Sequence, residues 1–360
     1  MSRGISKALI IGVAIIIAVV IIAVYYATQV HTLRQGMSSI GVNYPITVID
    51  YLGRNITIYS QPSSVGTISP DCTQIIYVLG FGSRVILIDA YSEQLLNYLN
   101  VTIPSNATTI NSIYGSPPIE PIITAHPSLL CADAGFQPQL VQSIGTLSAA
   151  NINVIFIGGT SNTNVTGIEN DIMLMAKALG VPGRGEEVIS HMNNVINYVE
   201  SKVSNEPRVT VAYISWYNPI YVAGNSSFVG YYINLAGGYD PFNGMYPTVS
   251  PSQLLAVNPD YIIADDFMGN YTATLQAILS IPGINSTNAV KEDHIYILGN
   301  FAESLIEEPG PLSVYGALLL AMILHPSAFS LNSTAIPHYI SAQWVDQYVK
   351  PNLNITLSDG

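Results

Sequence analysis

The chain has 360 residues, 49% of them hydrophobic and only 9% charged, with 11 Lys or Arg against 23 Asp or Glu for a net charge of −12. This length excludes a small disulfide scaffold, and the acidic balance excludes a non-specific nucleic-acid binder, which needs a basic patch. Only one uncharged run reaches membrane length, which excludes a polytopic membrane protein.

That run is residues 8–27, ALIIGVAIIIAVVIIAVYYA. As a helix rising about 1.5 Å per residue it spans about 30 Å, the hydrocarbon thickness of a bilayer. Residues 1–27 are therefore predicted to be a single-pass signal anchor. Arg3 and Lys7 before the run and Arg34 after it give too slight a bias to set the orientation. Sequons set it instead. N-x-[S/T] occurs at Asn55, Asn100, Asn106, Asn164, Asn225, Asn270, Asn285, Asn332 and Asn354, nine sites where composition alone predicts about four. Their spread over the whole chain beyond the helix predicts an extracytoplasmic, glycosylated body. No cysteine lies near the run, so a lipid-modified cysteine anchor is excluded. The start Arg3-Gly4-Ile5-Ser6-Lys7 resembles the pilin-like signals of archaeal surface proteins, in which cleavage after the glycine leaves the helix attached; retention uncleaved is the other reading.

Residues 28–44 are a polar tether. Residues 45–59, PITVIDYLGRNITIY, alternate on both sides of a turn and predict a β-hairpin. Short apolar runs at 65–68, 85–88, 129–131 and 154–157 then alternate with helical spacing at 73–79, 92–99 and 138–149. Short uninterrupted strands between helices imply a parallel sheet covered on both faces. Helical period holds over 168–179 and 185–203, broken only at Pro182-Gly183. After Pro207 the alternation resumes, with strands at 209–214, 261–264 and 295–298 and helices at 228–235, 251–256, 272–279 and 312–324. A further helix is predicted around 341–349. The fold class is thus α/β: two Rossmann-like lobes, 45–166 and 207–345, joined by a long connecting helix within 167–206, and a polar tail at 346–360.

Cys72 and Cys131 are the two cysteines. Outside the cell an even number favours a disulfide, with two buried thiols or a ligand contact as the alternatives. Enzyme motifs are missing: there is no G-x-G-x-x-G, G-K-[S/T], H-E-x-x-H, C-x-x-C or G-x-S-x-G. The six scattered histidines assemble neither a triad nor a metal cage. No catalytic residue and no resident cofactor is predicted.

Ligands of open α/β sheets meet the C-terminal ends of strands. Those ends supply Tyr91, Phe136, Trp216, Tyr217, Phe267, Met268 and Phe301, with Asp89, Asp133, Asp265, Asp266 and Glu303 among them. None is lysine or arginine. Such a cleft stacks planar or apolar surface and accepts hydrogen bonds, but lacks the guanidinium fork that suits anions. A bare anionic ligand is disfavoured unless a metal neutralises it. The ligand-contacting set predicted on this basis is Tyr91, Phe136, Trp216, Tyr217, Asp265, Phe267, Met268, Phe301 and Glu303.

Several stretches resemble the metal-chelate class of ABC-transporter substrate-binding proteins, which take iron–siderophores, haem and cobalamin. They are VIDYLGRNITI (48–58), SVGTISPDCTQIIYVLGFGSRVILID (64–89), PIITAHPSLLCAD (121–133), ANINVIFIGG (150–159), IENDIMLMAKALGVPGRGEEVISHM (168–192), YPTVSPSQLLAVNPDYIIAD (246–265) and EPGPLSVYGALLLAMILHP (308–326). Their order covers nearly all of 45–326. The resemblance implies the class III binding-protein fold, non-covalent capture of a metal chelate between two lobes with little hinge motion, and delivery to an ABC permease and its ATPase. Family members dock through one glutamate per lobe; the corresponding positions are Gln74 and Ser252, both without a carboxylate, so docking by hydrogen bonds is expected. A surface sensor or adhesion module, or a metal-cluster enzyme component on the same scaffold, are the competing functions. Two cysteines are too few for a cluster held within one chain.

Overall fold

A computed structural model of the chain describes residues 42–111, 117–332 and 335–349. The predicted membrane helix at 8–27, most of the tether and the tail beyond residue 349 lie outside the described residues. Among the described residues no helix is long and apolar enough to cross a membrane. The described elements belong to one compact unit, Tyr44–Gly360.

The hairpin forms as predicted: β1 (Ile46–Ile49) pairs antiparallel with β2 (Asn55–Ile58). Buried Asp50 sets its turn. One carboxylate oxygen accepts the amides of Leu52 and Arg54, while the other accepts the Arg54 guanidinium and the Phe156 amide. The hairpin is thereby fastened to the first sheet.

That sheet contains β3 (Val65–Thr67), β4 (Val85–Asp89), β5 (Thr108–Ile110), β6 (Leu129–Asp133) and β7 (Asn153–Ile157), in the order β5-β4-β3-β6-β7 and parallel throughout. Its helices are α1 (Pro70–Val78), α2 (Ala90–Leu99), α3 (Ile119–Ala125) and α4 (Ile144–Ala149). Strand β5 and helix α3 were not expected from the sequence. Cys72 on α1 and Cys131 on β6 are bonded, with Cα atoms 5.8 Å apart, which settles the three alternatives for the cysteines in favour of the disulfide.

The predicted single connecting helix is two helices, α5 (Val165–Ala178) and α6 (Pro182–Val203), packed against one another. Gly180 takes a left-handed φ of +75° and Pro182 occupies the first turn of α6, a stop followed at once by a start. Close packing needs Gly185, where a Cβ would sit 2.7 Å from that of Ala176.

The second sheet is β8 (Val209–Tyr217), β9 (Ile220–Val222), β10 (Gly238–Tyr239), β11 (Thr248–Val249), β12 (Tyr261–Asp265), β13 (Ile295–Leu298) and β14 (Tyr339–Ile340). The order is β11-β9-β8-β12-β13-β14, with β10 beside β8. It is mixed, not purely parallel: β9 runs antiparallel to β8, and β11 to β9. The helices are α7 (Phe228–Leu235), α8 (Pro251–Val257), α9 (Tyr271–Leu279), α10 (Asn288–Lys291), α11 (Asn300–Glu307), α12 (Val314–Leu324) and α13 (Ala342–Tyr348).

Every residue of α12 is buried, as suits a helix apolar on all sides. It lies in one hydrophobic cluster that runs from the first sheet (Val65, Val85, Leu129) through α6 (Met192, Val199) to the second (Val211, Ile263). The two lobes therefore share a core, and separating them would expose apolar surface. Little hinge motion follows from the packing itself.

All eight described sequon asparagines are exposed. Two have a structural use as helix N-caps: the Asn164 side chain accepts the Gly167 amide and that of Asn270 accepts the Ala273 amide.

Candidate functional site

The strand ends of the two sheets face each other across a cavity of about 440 Å³, within the usual range of small-molecule sites. One wall comes from α1, α2 and the loop after β6: Pro70, Tyr91, Gln94, Leu95, Tyr98 and Phe136. The other comes from β8, the loop after β12 and α11: Ser215, Trp216, Asp265, Asp266, Phe267, Asn300, Glu303, Ser304, Glu307 and Glu308. None of these lining residues is lysine or arginine, as the inventory of strand ends predicts.

The first wall is positioned by buried aspartates. Asp89 ends β4 and caps α2, accepting the amides of Tyr91 and Ser92 at 3.0 Å each and the Ser92 hydroxyl. This turns Tyr91 outward, 45% exposed. Asp133 ends β6 and accepts the amides of Gly135, Phe136 and Thr160, which shapes the loop carrying Phe136. Both aspartates serve the backbone and are absent from the cavity lining. Burial raises both pKa values, that of Asp89 to about 6.

The second wall carries an aromatic group. Trp216, the penultimate residue of β8, is 43% exposed and donates its indole N–H to the Asn218 carbonyl at 3.1 Å. Phe267 packs edge-on against it, with centroids 5.8 Å apart, and stacks on Tyr217 at 5.2 Å. Below this group is a concentration of acid. Asp265 ends β12, and α11 presents Glu303 and Glu307 one turn apart on a single face. Oxygens of these three carboxyls lie within 4.8 Å of one another. Tyr213 donates its hydroxyl to Asp265, and the carboxyls of Asp265 and Glu307 are hydrogen-bonded to each other.

Burial without a basic partner pushes these carboxyls up. Asp265 is raised well above the usual range by burial and then by Glu307 and Glu303. Burial, reinforced by Asp266, takes Glu303 to about 7; burial, reinforced by Glu303, takes Glu307 to about 8. Glu308 is raised as well, first by burial and then by Asp89 and Asp71. Tyr213 and Tyr246 are raised by burial and by the same acids. The arrangement can hold protons or a cation, stack a planar group and accept hydrogen bonds. It offers no activated nucleophile among the described residues.

Of the predicted contact residues, the fold brings Tyr91, Phe136, Trp216, Asp265, Phe267 and Glu303 into one cavity. Three predictions need correction. Tyr217 backs Phe267 and does not line the cavity. Met268 is 45% exposed but lies outside the lining. Phe301 is 1% exposed, because it lies on the inward face of the first turn of α11, and it stacks on Tyr98 at 5.5 Å.

Of the predicted docking residues, Ser252 is exposed on the first turn of α8. Gln74 is not available: it is 1% exposed, its Oε1 accepts the Leu312 amide at 3.0 Å, and its Nε2 donates to Glu308. Gly310 makes room for it, since a Cβ there would meet Gln74 Oε1 at 2.3 Å.

Sequence reasoning missed Gln94, Leu95 and Tyr98 on α2, and Asn300, Ser304, Glu307 and Glu308 on or beside α11. A signal existed. Phe301, Ala302, Leu305 and Ile306 are the buried residues of α11, while 300, 303, 304 and 307 recur at helical spacing on its opposite face.

The model of the periplasmic binding protein family matches residues 65–301. An uncharacterized ABC transporter substrate-binding lipoprotein of Bacillus subtilis, YvrC, is 20% identical over 293 residues, 79% of this chain and 87% of that protein. A cobalamin-binding protein of Halobacterium salinarum is 20% identical over 291 residues, 79% of this chain and 75% of that one. Among solved structures, Helicobacter pylori CeuE with Ni(II) bound superposes with a TM-score of 0.66 at 16% identity, covering 87% of this chain and 96% of that one. With the family model matching well over half its length, the chain belongs to the periplasmic binding protein family and is a substrate-binding transport protein, not an enzyme.

Proposed function

We propose that this protein is the extracytoplasmic receptor of an ABC importer, capturing a metal chelate of the siderophore, haem or cobalamin type and passing it to a permease served by an ATPase. The observation that carries the reading is the composition of the cavity. Exposed aromatics, Tyr91 and Trp216, project from opposite walls, and no basic side chain is among the lining residues. Aromatic faces suit a planar or largely apolar ligand, and the acidic floor selects against a net negative one. This favours a neutral or metal-neutralised planar chelate, cobalamin-like or haem-like, over a bare anionic siderophore. The relatives described as binding cobalamin and Ni(II) support the chelate class.

In this reading residues 8–27 hold the body at the outer face of the cell membrane, and the exposed sequons carry glycans. The face around Ser252 remains a docking surface for the permease, while buried Gln74 does not. Equilibrium dialysis of the full-length chain with cobalamin, haem and ferric siderophores tests the proposal. At least one chelate should bind saturably, and a Trp216→Ala variant should bind it about tenfold more weakly, the loss of one stacking face. If no chelate binds, or if Trp216→Ala binds it unchanged, the reading is wrong.

A further inference from the structure

We propose that Tyr221 and Tyr246 extend the aromatic wall of the cleft outward from Trp216 as a shelf, which holds the planar or apolar part of a bound chelate that projects beyond the cavity. The inference rests on the cleft being a chelate site, as above, and assigns a second contact surface to it.

Strand register places Tyr221. Strand β9 runs antiparallel to β8, with Tyr221 opposite Trp216 and Ile220 opposite Tyr217. Directly opposed residues of an antiparallel pair project from the same face, with Cβ atoms about 4.5–5.5 Å apart. Burial alternates to match. Ile220 and Val222 are buried in one hydrophobic cluster with Val249 of β11, whereas Tyr221 between them is 38% exposed. Thr248, opposite Tyr221 on β11, is exposed on the same face. Trp216 lines the cavity and Tyr221 does not, so Tyr221 is the next aromatic outward along one wall.

Tyr246 comes from the chain just before β11. The amides of Val222 and Gly224 donate to the carbonyls of Pro247 and Met245 at 3.2 and 2.7 Å, which fixes the backbone on either side of it. Its side chain is 41% exposed. Its phenol end nevertheless approaches the cleft floor, where burial and then the charges of Glu307 and Asp265 act on it. The ring thus stands between the floor and solvent.

The size of the cavity leaves a use for this shelf. About 440 Å³ is near the lower end of the range of about 300–1,000 Å³ for small-molecule sites. A macrocyclic chelate with side arms is larger than the ligands such a cavity encloses, so part of it lies beyond the lining. Two phenol rings meet that part with flat apolar faces and with hydroxyls that donate to oxygen acceptors. Continuity with Trp216 is what assigns the shelf to the chelate and not to a protein partner.

The test is equilibrium dialysis of the full-length chain with cobalamin and with haem. Tyr221→Ala and Tyr246→Ala should each weaken binding by about two- to tenfold, the worth of one stacked ring. Tyr221→Phe keeps the ring and should bind as the parent chain does; a loss equal to that of alanine would overturn the stacking role. Tyr239→Ala is the control. It is 53% exposed but pairs with Thr210 at the start of β8, the opposite end of the strand from Trp216, and should change nothing. Each variant replaces an exposed side chain, and an unchanged thermal midpoint confirms its fold. Unchanged affinity in both alanine variants would leave this face to a protein partner and overturn the proposal. Trp216→Ala, run beside them, keeps the two readings apart. If it weakens binding and the tyrosine variants do not, the shelf alone is refuted. If the tyrosine variants weaken binding and Trp216→Ala does not, the shelf holds and the role of Trp216 fails; if no chelate binds, both fall.

Discussion

Raising the pH should destabilise this protein, the opposite of what paired carboxylates produce. Asp89 and Asp171 are 0% and 3% exposed, and burial raises each from 3.8 to about 6. Their hydrogen bonds hold the values down but do not overcome burial; Asp171 accepts the Gly158 and Gly159 amides at 2.8 and 3.0 Å and the Asn162 side chain at 2.6 Å. Since the folded value lies above the unfolded one, the folded protein holds these protons more tightly than the unfolded chain. Their contribution is complete below about pH 3.8 and is lost as the pH climbs through about 6. A gap of about 2 pH units corresponds to about 3 kcal/mol per group, so the pair contributes on the order of 6 kcal/mol. That is comparable to the whole stability of many domains, about 5–15 kcal/mol. Asp71 and Asp240, the latter near 7, are raised by burial and act in the same direction. Thermal unfolding across about pH 4 to pH 8 should show the midpoint falling by on the order of 10 °C. Asp171→Asn should remove part of that slope. A midpoint that stays level, or rises with pH, would refute the reasoning. A body stabilised by protons fits the low charge of the chain and an acidic exterior.

Two further predictions concern stability. Replacing Cys72 and Cys131 together by alanine opens a bridge between residues 59 apart in sequence. Loop entropy then puts the loss at about 4 kcal/mol; urea unfolding should report it, and a loss under about 1 kcal/mol would contradict the entropic account. Phe301→Ala should cost about 3–5 kcal/mol as a core truncation. It should also weaken chelate binding, because Tyr98 loses the ring it stacks on; unchanged stability would return Phe301 to the cavity surface.

Most of the fold was legible where periodicity is long. Helix α7 matches its predicted range at 228–235, and the four central strand runs fall within a residue or two of β3, β4, β6 and β7. Strands β9, β10 and β11 escaped because two or three residues carry no period. They exist through pairing with β8 or its neighbour, a tertiary cause. The cavity was legible in residue type more than in residue identity. Strand ends pointed to Trp216, Phe267 and Asp265, but the sequence analysis placed no helix over α11, and Glu307 stayed outside the predicted set. Asp89 and Asp133 show the converse failure: acids at strand ends are as readily spent on capping amides as on meeting ligand. Gln74 was placed by resemblance alone, and only the packing of residues 308–312 over it reveals that it faces inward.

The central claim is that a metal chelate is captured against Trp216. The chain has two tryptophans, and Trp344 is 7% exposed, donates its indole N–H to the Ala335 carbonyl and lies outside the cavity lining. In a Trp344→Phe variant Trp216 is the sole indole, so emission reports the cavity alone. Titration with cobalamin and with haem should quench that emission to a saturating plateau, at the stoichiometry of one ligand per chain. Emission that stays unchanged while dialysis shows the chelate bound would place the ligand elsewhere and contradict the account.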